Sequence, residues 1–545
     1  MPSQKKNRLT LLLSKKYLAF FLFTAVSFLG ISATSAQDRG GAIVISGIGS
    51  PRTLIPLLAT DSASAVLCSF IYNGLVKYDQ NLNLTGDLAE SWDILDSGKR
   101  IVFHLRKGVL WQDGKEFTAK DVEFTYRKLI DPKVITPYSS DFQRIKKLII
   151  RDKYTVEVVY KEPFSPALSS WTMPIIPEHI LKKEDLNTTF YARNPVGTGP
   201  YKFRKWSVSR GIVELTAFKD YFEGEPFISR VVFRVIPDTA TLFLEVLTQG
   251  IDNASLTPLQ YLKHADLPLF KKHYRKFSYP SHGFLYMGYN LDNFFFRDKR
   301  VRQALNYAVD KNEIIKAVYL GQAEVSTGPF TQDSWAYDYS SRPAEYSPET
   351  AKKLLKQAGI YDSDGDGILD KEGRPFKFTI FTNQGNIERK MAAEIIQKRL
   401  ADIGIKVDIR VVEWTVFIDR IIKKKKFDAV LLGWSLSQDP DVYDLFHSSQ
   451  TGEGKFNFIG YKNPQVDELL VEARKEFCQD RRKKLYYKVR QLIYDDQPYM
   501  FICSPYSLPC IHKRFVGIKP AKGGYWYNFI KWWVPKHKQM YISAR

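Results

Sequence analysis

FKFTIFTNQGNIERKMAAEIIQKRLADIGIKVDIRVVEWTVFIDRIIKKKKFDAVLL, Phe376 to Leu432, switches repeatedly between the two periods of regular backbone structure. Alternating or continuous apolar runs mark strands, and apolar residues three and four apart mark helices. The pattern predicts strands over 376–381, 406–412 and 427–432, with helices over 387–403 and 414–422 between them. That βαβαβ order predicts an α/β domain with largely parallel strands. In such a sheet the loops leaving the carboxyl ends of the strands form the ligand crevice. Here the last strand runs into GWSLSQDPDVYDLFHSS, Gly433 to Ser449, which is rich in acids, serines and aromatics.

Outward from this core the texture changes. Upstream of about Phe284 strands dominate: Ala42 to Ser46, Tyr154 to Tyr160, a hairpin over Phe203 to Phe218, and Val231 to Val235. Two helix starts are clear there. Asp61 caps a helix through Phe70 that ends near Gly74, and Thr118-Ala-Lys-Asp121 reads as a capping box. IVFHLRKGVLWQDGKEF reads as two strand pieces about a glycine turn. Downstream, Val301 to Tyr319 has helical spacing, and Ser347-Pro348-Glu349 opens a helix that Gly359 ends. Beyond Pro498 the chain is strand- and loop-like again. The expectation is an inserted α/β domain over 285–498, bracketed by a first domain over 37–284 and a return over 499–545. An insertion of this kind crosses between domains twice and leaves a hinged cleft.

The chain has 545 residues, 44% hydrophobic and 14% aromatic, enough for two or three globular domains. Five Lys or Arg precede the apolar run Tyr17 to Ile31, and small residues follow at Thr34 and Ala36. The expectation is a signal peptide over 1–36, cleaved near Ala36, with no lipobox cysteine. Net charge is +21, and residues 1–36 carry five of those charges and no acid, leaving +16. The charges are scattered, with one dense run at Lys423 to Lys426 that reads as a solvated turn, so no nucleic-acid partner is expected. Cys68, Cys478, Cys503 and Cys510 allow three complete pairings. A Cys503–Cys510 bridge about SPYSLP and free buried thiols both stay open.

The motifs favour binding over catalysis. Gly433-Trp-Ser435-Leu-Ser437 has serine where a nucleophile elbow needs its last glycine, and His447 is near only in sequence. No histidine pair has zinc spacing. No catalytic residue, metal or cofactor is therefore assigned. Asn194-Pro-Val-Gly197-Thr-Gly199-Pro200-Tyr201 lacks the lysine and hydroxyl of a phosphate loop and reads as a rigid turn. Asp362, Asp364 and Asp366 match the first half of a calcium loop, but position 12 is Gly373, so an Asx-rich turn is favoured over an ion site. Asp439, before Pro440, reads as a helix cap. Trp434 and Tyr443 offer flat walls to a ligand, and Ser437, Gln438, Asp439 and Asp441 offer directional polar contacts.

LAESW (Leu88 to Trp92), FHLRKGVLWQDGKEFTAKDVEFTY (Phe103 to Tyr126), NPVGTGPY, YSPETAKKLLKQAG, DSDGDGILD, FDAVLLGWSLSQDPDVYDLFHSSQ and GYKNPQVDELLVEAR occur in this order. In them the chain resembles the family 5 extracellular solute-binding proteins, the oligopeptide and dipeptide receptors of ABC importers. The resemblance implies a two-lobed periplasmic-binding-protein fold (type II, cluster C-like), with an extra subdomain at about 88–193. It implies a monomeric periplasmic receptor that traps a peptide by hinge closure and delivers it to a permease with ATPase subunits. In peptide-binding members an aspartate three residues after the tryptophan pairs with the peptide amine. Here that count gives Ser437, or Leu436 counting back from Asp439-Pro440. Two rivals remain: the same receptor carrying a metal chelate, oligosaccharide or opine, and a secreted hydrolase.

Overall fold

The computed structural model describes residues 37–540; the expected signal peptide lies outside the described residues. Among the described residues two seven-stranded sheets dominate, with a four-stranded sheet beside them. The first sheet runs, edge to edge, Tyr274–Lys276, Pro509–His512, Asn253–Ser255, Ala42–Gly47, Arg230–Val235, Ile212–Ala217 and Tyr201–Ser207. Ala42–Gly47 pairs in parallel with Arg230–Val235 and with Asn253. The second sheet runs Tyr279–Pro280, Tyr499–Ser507, Gly283–Tyr289, Ala429–Ser435, Lys377–Asn383 and Lys406–Val412. Ala323–Val325 adds a seventh strand against Tyr499–Ser507. The three strands anticipated from the opening stretch are mutually parallel, while Gly283–Tyr289 joins antiparallel to Ala429–Ser435.

Two links join the sheets. Only Phe277 and Ser278 separate Tyr274–Lys276 from Tyr279–Pro280, and only Leu508 separates Tyr499–Ser507 from Pro509–His512. The links lie side by side, with Phe277 N–H donating to Pro509 O (2.9 Å) and Ser281 N–H to Pro505 O (3.3 Å). Strand Tyr499–Ser507 thus belongs to the second sheet, and the chain returns to the first after Ser507 rather than at 499. Its five leading residues are buried, because both faces of the second sheet are covered. Leu305, Ile396 and Leu400 cover one face; Phe446, Val489 and Ile493 cover the other.

Local signals act as expected at most helix starts. Asp61 accepts from Ser64 N–H at 2.8 Å, and the Thr118/Asp121 capping box forms at Ala119–Ile130. The stretch Val301 to Tyr319 is two helices, Lys299–Ala308 and Lys311–Ala317, because Asp310 caps a fresh start through Asn312 N–H. The helix after Trp414 widens into a π-helical turn over Phe417–Ile422. After strand Arg100–Leu105 the second strand piece shrinks to one bridge, Leu110 to Glu116. In NPVGTGPY a Cβ on Gly197 would meet Ile71 O at 1.9 Å. The turn wraps buried Gln112, whose amide donates to the carbonyls of Ile71, Gly199 and Tyr201. Lys425 turns with φ +50°, and Lys424 pairs with exposed Glu453. All four cysteines are free; Cys503 lies in the second sheet and Cys510 in the first.

Three distant segments of the first sheet meet at one buried ion pair. Arg514 bonds both oxygens of Asp252 (2.9 and 2.5 Å) and Ala42 O, while Asp252 accepts from Val44 N–H. Asp252 is 0% exposed. Asp252→Ala leaves a buried guanidinium without its carboxylate, so unfolding in denaturant should show a loss of about 3–5 kcal/mol.

Candidate functional site

Strand Ala429–Ser435 carries Trp434 to the carboxyl end of the parallel strands, where Trp434 faces Phe284 across the antiparallel ladder. The indole lies parallel to the Tyr286 ring (6.0 Å, 6°), and Tyr286 stacks on Tyr499 at 4.1 Å. Trp434 Nε1–H donates to Tyr499 OH at 3.3 Å. Phe456 packs edge-on against Trp434 (5.3 Å) and against Tyr138 (5.6 Å). Tyr138 comes from the segment beside the four-stranded sheet and donates to Ala59 O. A line of rings therefore runs from the second sheet across to the other side of the crevice. Such contacts fix ring orientation beyond simple burial.

The polar residues of the segment have structural partners. Ser437 Oγ–H donates to Asp439 O at 2.6 Å, and Gln438 is half-buried. Asp439 is not the helix cap expected of it. The helix Tyr443–Phe446 starts after Val442 without a side-chain cap. Asp439 instead accepts two bonds, 2.8 and 2.6 Å, from buried Arg482 of helix Gln479–Asp496. Asp441 accepts from Arg474 Nε–H at 2.7 Å, and the Arg474 guanidinium lies 3.7 Å from the centre of the Tyr443 ring. Both arginines interrupt apolar stripes: Val466, Leu470 and Ala473 for one, Leu485, Tyr486 and Val489 for the other. A cation at a core-facing helical position was the readable sign of a buried acid partner, and the sequence reading passed over it. Ser435 is exposed at its strand end, while His447 Nδ1 accepts from Ser449 N–H.

The two sides meet closely. Arg52 pairs with Asp419 (2.6 Å), Lys475 with Glu162 (2.6 Å), and Ser165 N–H donates to Arg474 O (2.7 Å). Gly385, with φ +86°, approaches the first sheet so closely that a Cβ would meet Pro237 O at 2.8 Å. Within the second lobe, His282, Thr331, Ser334, Ser437 and Asp439 line a cavity of about 20 Å³, room for one water. Elsewhere Asp362, Asp364 and Asp366 are exposed, with carboxylate oxygens within 4.8 Å of one another. Asp362 accepts from the Gly365 and Gly367 amides, Asp364 from that of Asp366, and Asp366 from that of Ile368, the bonding of an Asx-rich turn.

Residues 83–457 match the model of the bacterial extracellular solute-binding proteins, family 5 (middle). The chain belongs to this family. It is 36% identical over 550 residues to the oligopeptide-binding protein AppA of Bacillus subtilis, covering 98% of this chain and all of that one. The structure of AppA in complex with a nonapeptide superposes with a TM-score of 0.87 at 34% identity, over 92% of this chain and 100% of that one. NikZ of Campylobacter jejuni, in complex with Ni(L-His), superposes with a TM-score of 0.81 at 29% identity, over 90% and 99% of the two chains. The family 5 member thus has the two-lobed α/β solute-binding fold. No helix among the described residues is long and apolar enough to cross a membrane.

If Asp439 serves to neutralise Arg482, Asp439→Asn should destabilise the ligand-free protein by roughly 3–5 kcal/mol, read by denaturant unfolding. A residue that only contacts ligand would leave that stability unchanged.

Proposed function

We propose that this protein is the substrate-binding receptor of an ABC importer, that its cargo is a peptide, and that it traps the cargo by closing two lobes about the paired links near Phe277 and Leu508. The observation that carries this reading is the 36% identity, over nearly the whole of both chains, to an oligopeptide-binding protein. One lobe comprises the first sheet with the four-stranded sheet as its subdomain, and the other comprises residues 279–507. The protein acts in the periplasm as a monomer after removal of residues 1–36 near Ala36. It hands cargo to a membrane permease whose ATPase subunits do the hydrolysis; the receptor itself catalyses nothing. Trp434 and Tyr443, with Ser437, Gln438, Asp439 and Asp441, frame the cargo site, the aspartates through the arginines they hold.

Closure matters because a receptor of micromolar affinity needs about 8 kcal/mol net, and a cargo enclosed on both sides loses more apolar surface to water than one lying on a single lobe. Main-chain hydrogen bonds to an extended peptide would serve many side chains equally. A second reading, a solute without a free amine, is favoured by one observation: Asp439 and Asp441 are each engaged by a buried arginine. An ammonium placed beside them would compete with guanidinium groups already in place. Cargo of this kind includes amine-blocked peptides and metal chelates.

Native mass spectrometry of the purified protein, before and after unfolding, should release intact peptides. A non-peptide mass would move the assignment to the second reading, and shortened products from added peptides would replace both with a hydrolase. Gly385→Ala should keep the fold and weaken cargo binding by tenfold or more in titration calorimetry, because the added methyl meets Pro237 O only when the lobes are together.

A further inference from the structure

Arg474 sits where the two sides of the crevice bring unequal charge together. From the helical side of the second sheet come Asp441, 2.7 Å from the Arg474 Nε, and Asp444, whose buried Oδ1 has no hydrogen-bond partner. From the opposite side comes Asp141, on the short helix Ser139–Phe142, 3.0 Å from Arg474 Nη2. Arg474 is 3% exposed. The other cations nearby are engaged. Lys455 donates to Thr136 O and Ser139 Oγ, and Arg144 is held by Glu162 at 2.8 Å. His447 is pushed toward its neutral form by burial, despite Asp467 beside it. The remaining titratable neighbours, Tyr138 and Tyr160, are buried phenols raised well above their ordinary range by desolvation. Three carboxylates therefore share one inserted guanidinium and the field of one lysine.

Uncompensated carboxylate charge is costly away from water, and a proton is the counter-charge always at hand. We propose that bringing Asp141 against Asp441 and Asp444 takes up one proton, so that acid favours the closed crevice and alkali opposes it. The proposal rests on the reading that the crevice opens. The direction of the carboxyl shifts agrees. Burial raises Asp141 to about 7, outweighing the opposing pull of Arg474, and burial also raises Asp444. With the sides apart, Asp141 returns to water and to the ordinary carboxylate range near 4. The closed form then binds the proton more tightly than the open form. The added stabilisation of the closed form is fully present below the open-state value and is lost as pH rises through about 7. Within that window the closed-to-open ratio changes by up to about tenfold per pH unit for one linked proton.

Small-angle scattering of the exported protein at pH 5.5 and 8.5 tests this. The wild type should have the smaller radius of gyration at pH 5.5, and Asp141→Asn should be equally compact at both. Asp444→Asn, with circular dichroism to confirm folding, is the second variant and should lose most of the pH response. A wild-type radius that does not change with pH would overturn the proposal, as would a full response retained in both variants. Cargo is weighed separately from the same samples by mass spectrometry after unfolding. Compaction by acid with no peptide present would leave proton uptake standing while removing the peptide reading.

Discussion

The organising constraint is that the backbone passes between the two large sheets twice, at adjacent points, through links of one and two residues. Links this short cannot be remodelled independently. Phe277 N–H bonds Pro509 O across the pair and ties the two passages together. In this arrangement Gly385 lies against Pro237, Arg52 pairs with Asp419, and the Trp434–Phe456–Tyr138 ring line is in register. The apolar cores of the two lobes sit on either side of the links.

Within the crevice, electrostatics and aromatic packing divide the work. The rings Trp434, Tyr286 and Tyr499 form a stack anchored in the second core, which holds the indole still at the strand end. The aspartates of the following loop are held by arginines from two different helices. Asp439 reaches Arg482 and Asp441 reaches Arg474, so the loop is tied down at alternate residues. A loop fixed in this way has little conformational freedom left to lose.

Much of the fold was legible in the sequence because its signals are local. The alternation in Lys377–Asn383, the cap at Asp61 and the Thr118/Asp121 box depend on residues a few positions apart, and the structure carries each of them. The second sheet's claim on Tyr499–Ser507 was not legible, because a strand's sheet membership is decided by partners far along the chain. The cap expected at Asp439 failed because the helix begins only at Tyr443; Asp439 accepts from the Asp441 amide and, unforeseen, from an arginine 43 residues away. Asp141 was invisible as a site residue, since nothing near it in sequence reveals that Arg474 will face it. Arg474 and Arg482 were visible in principle, as cations on the apolar stripes of their helices.

The split of the first sheet also governs how the chain is assembled. Strand Asn253–Ser255 obtains its neighbour on one side from Pro509–His512, and the bond from Asn253 to Cys510 spans 257 residues. During synthesis that strand edge stays unpaired while the whole inserted lobe emerges. An open edge is a template for wrong partners. The nascent chain therefore passes through a long interval before that edge is covered and its sheet completed.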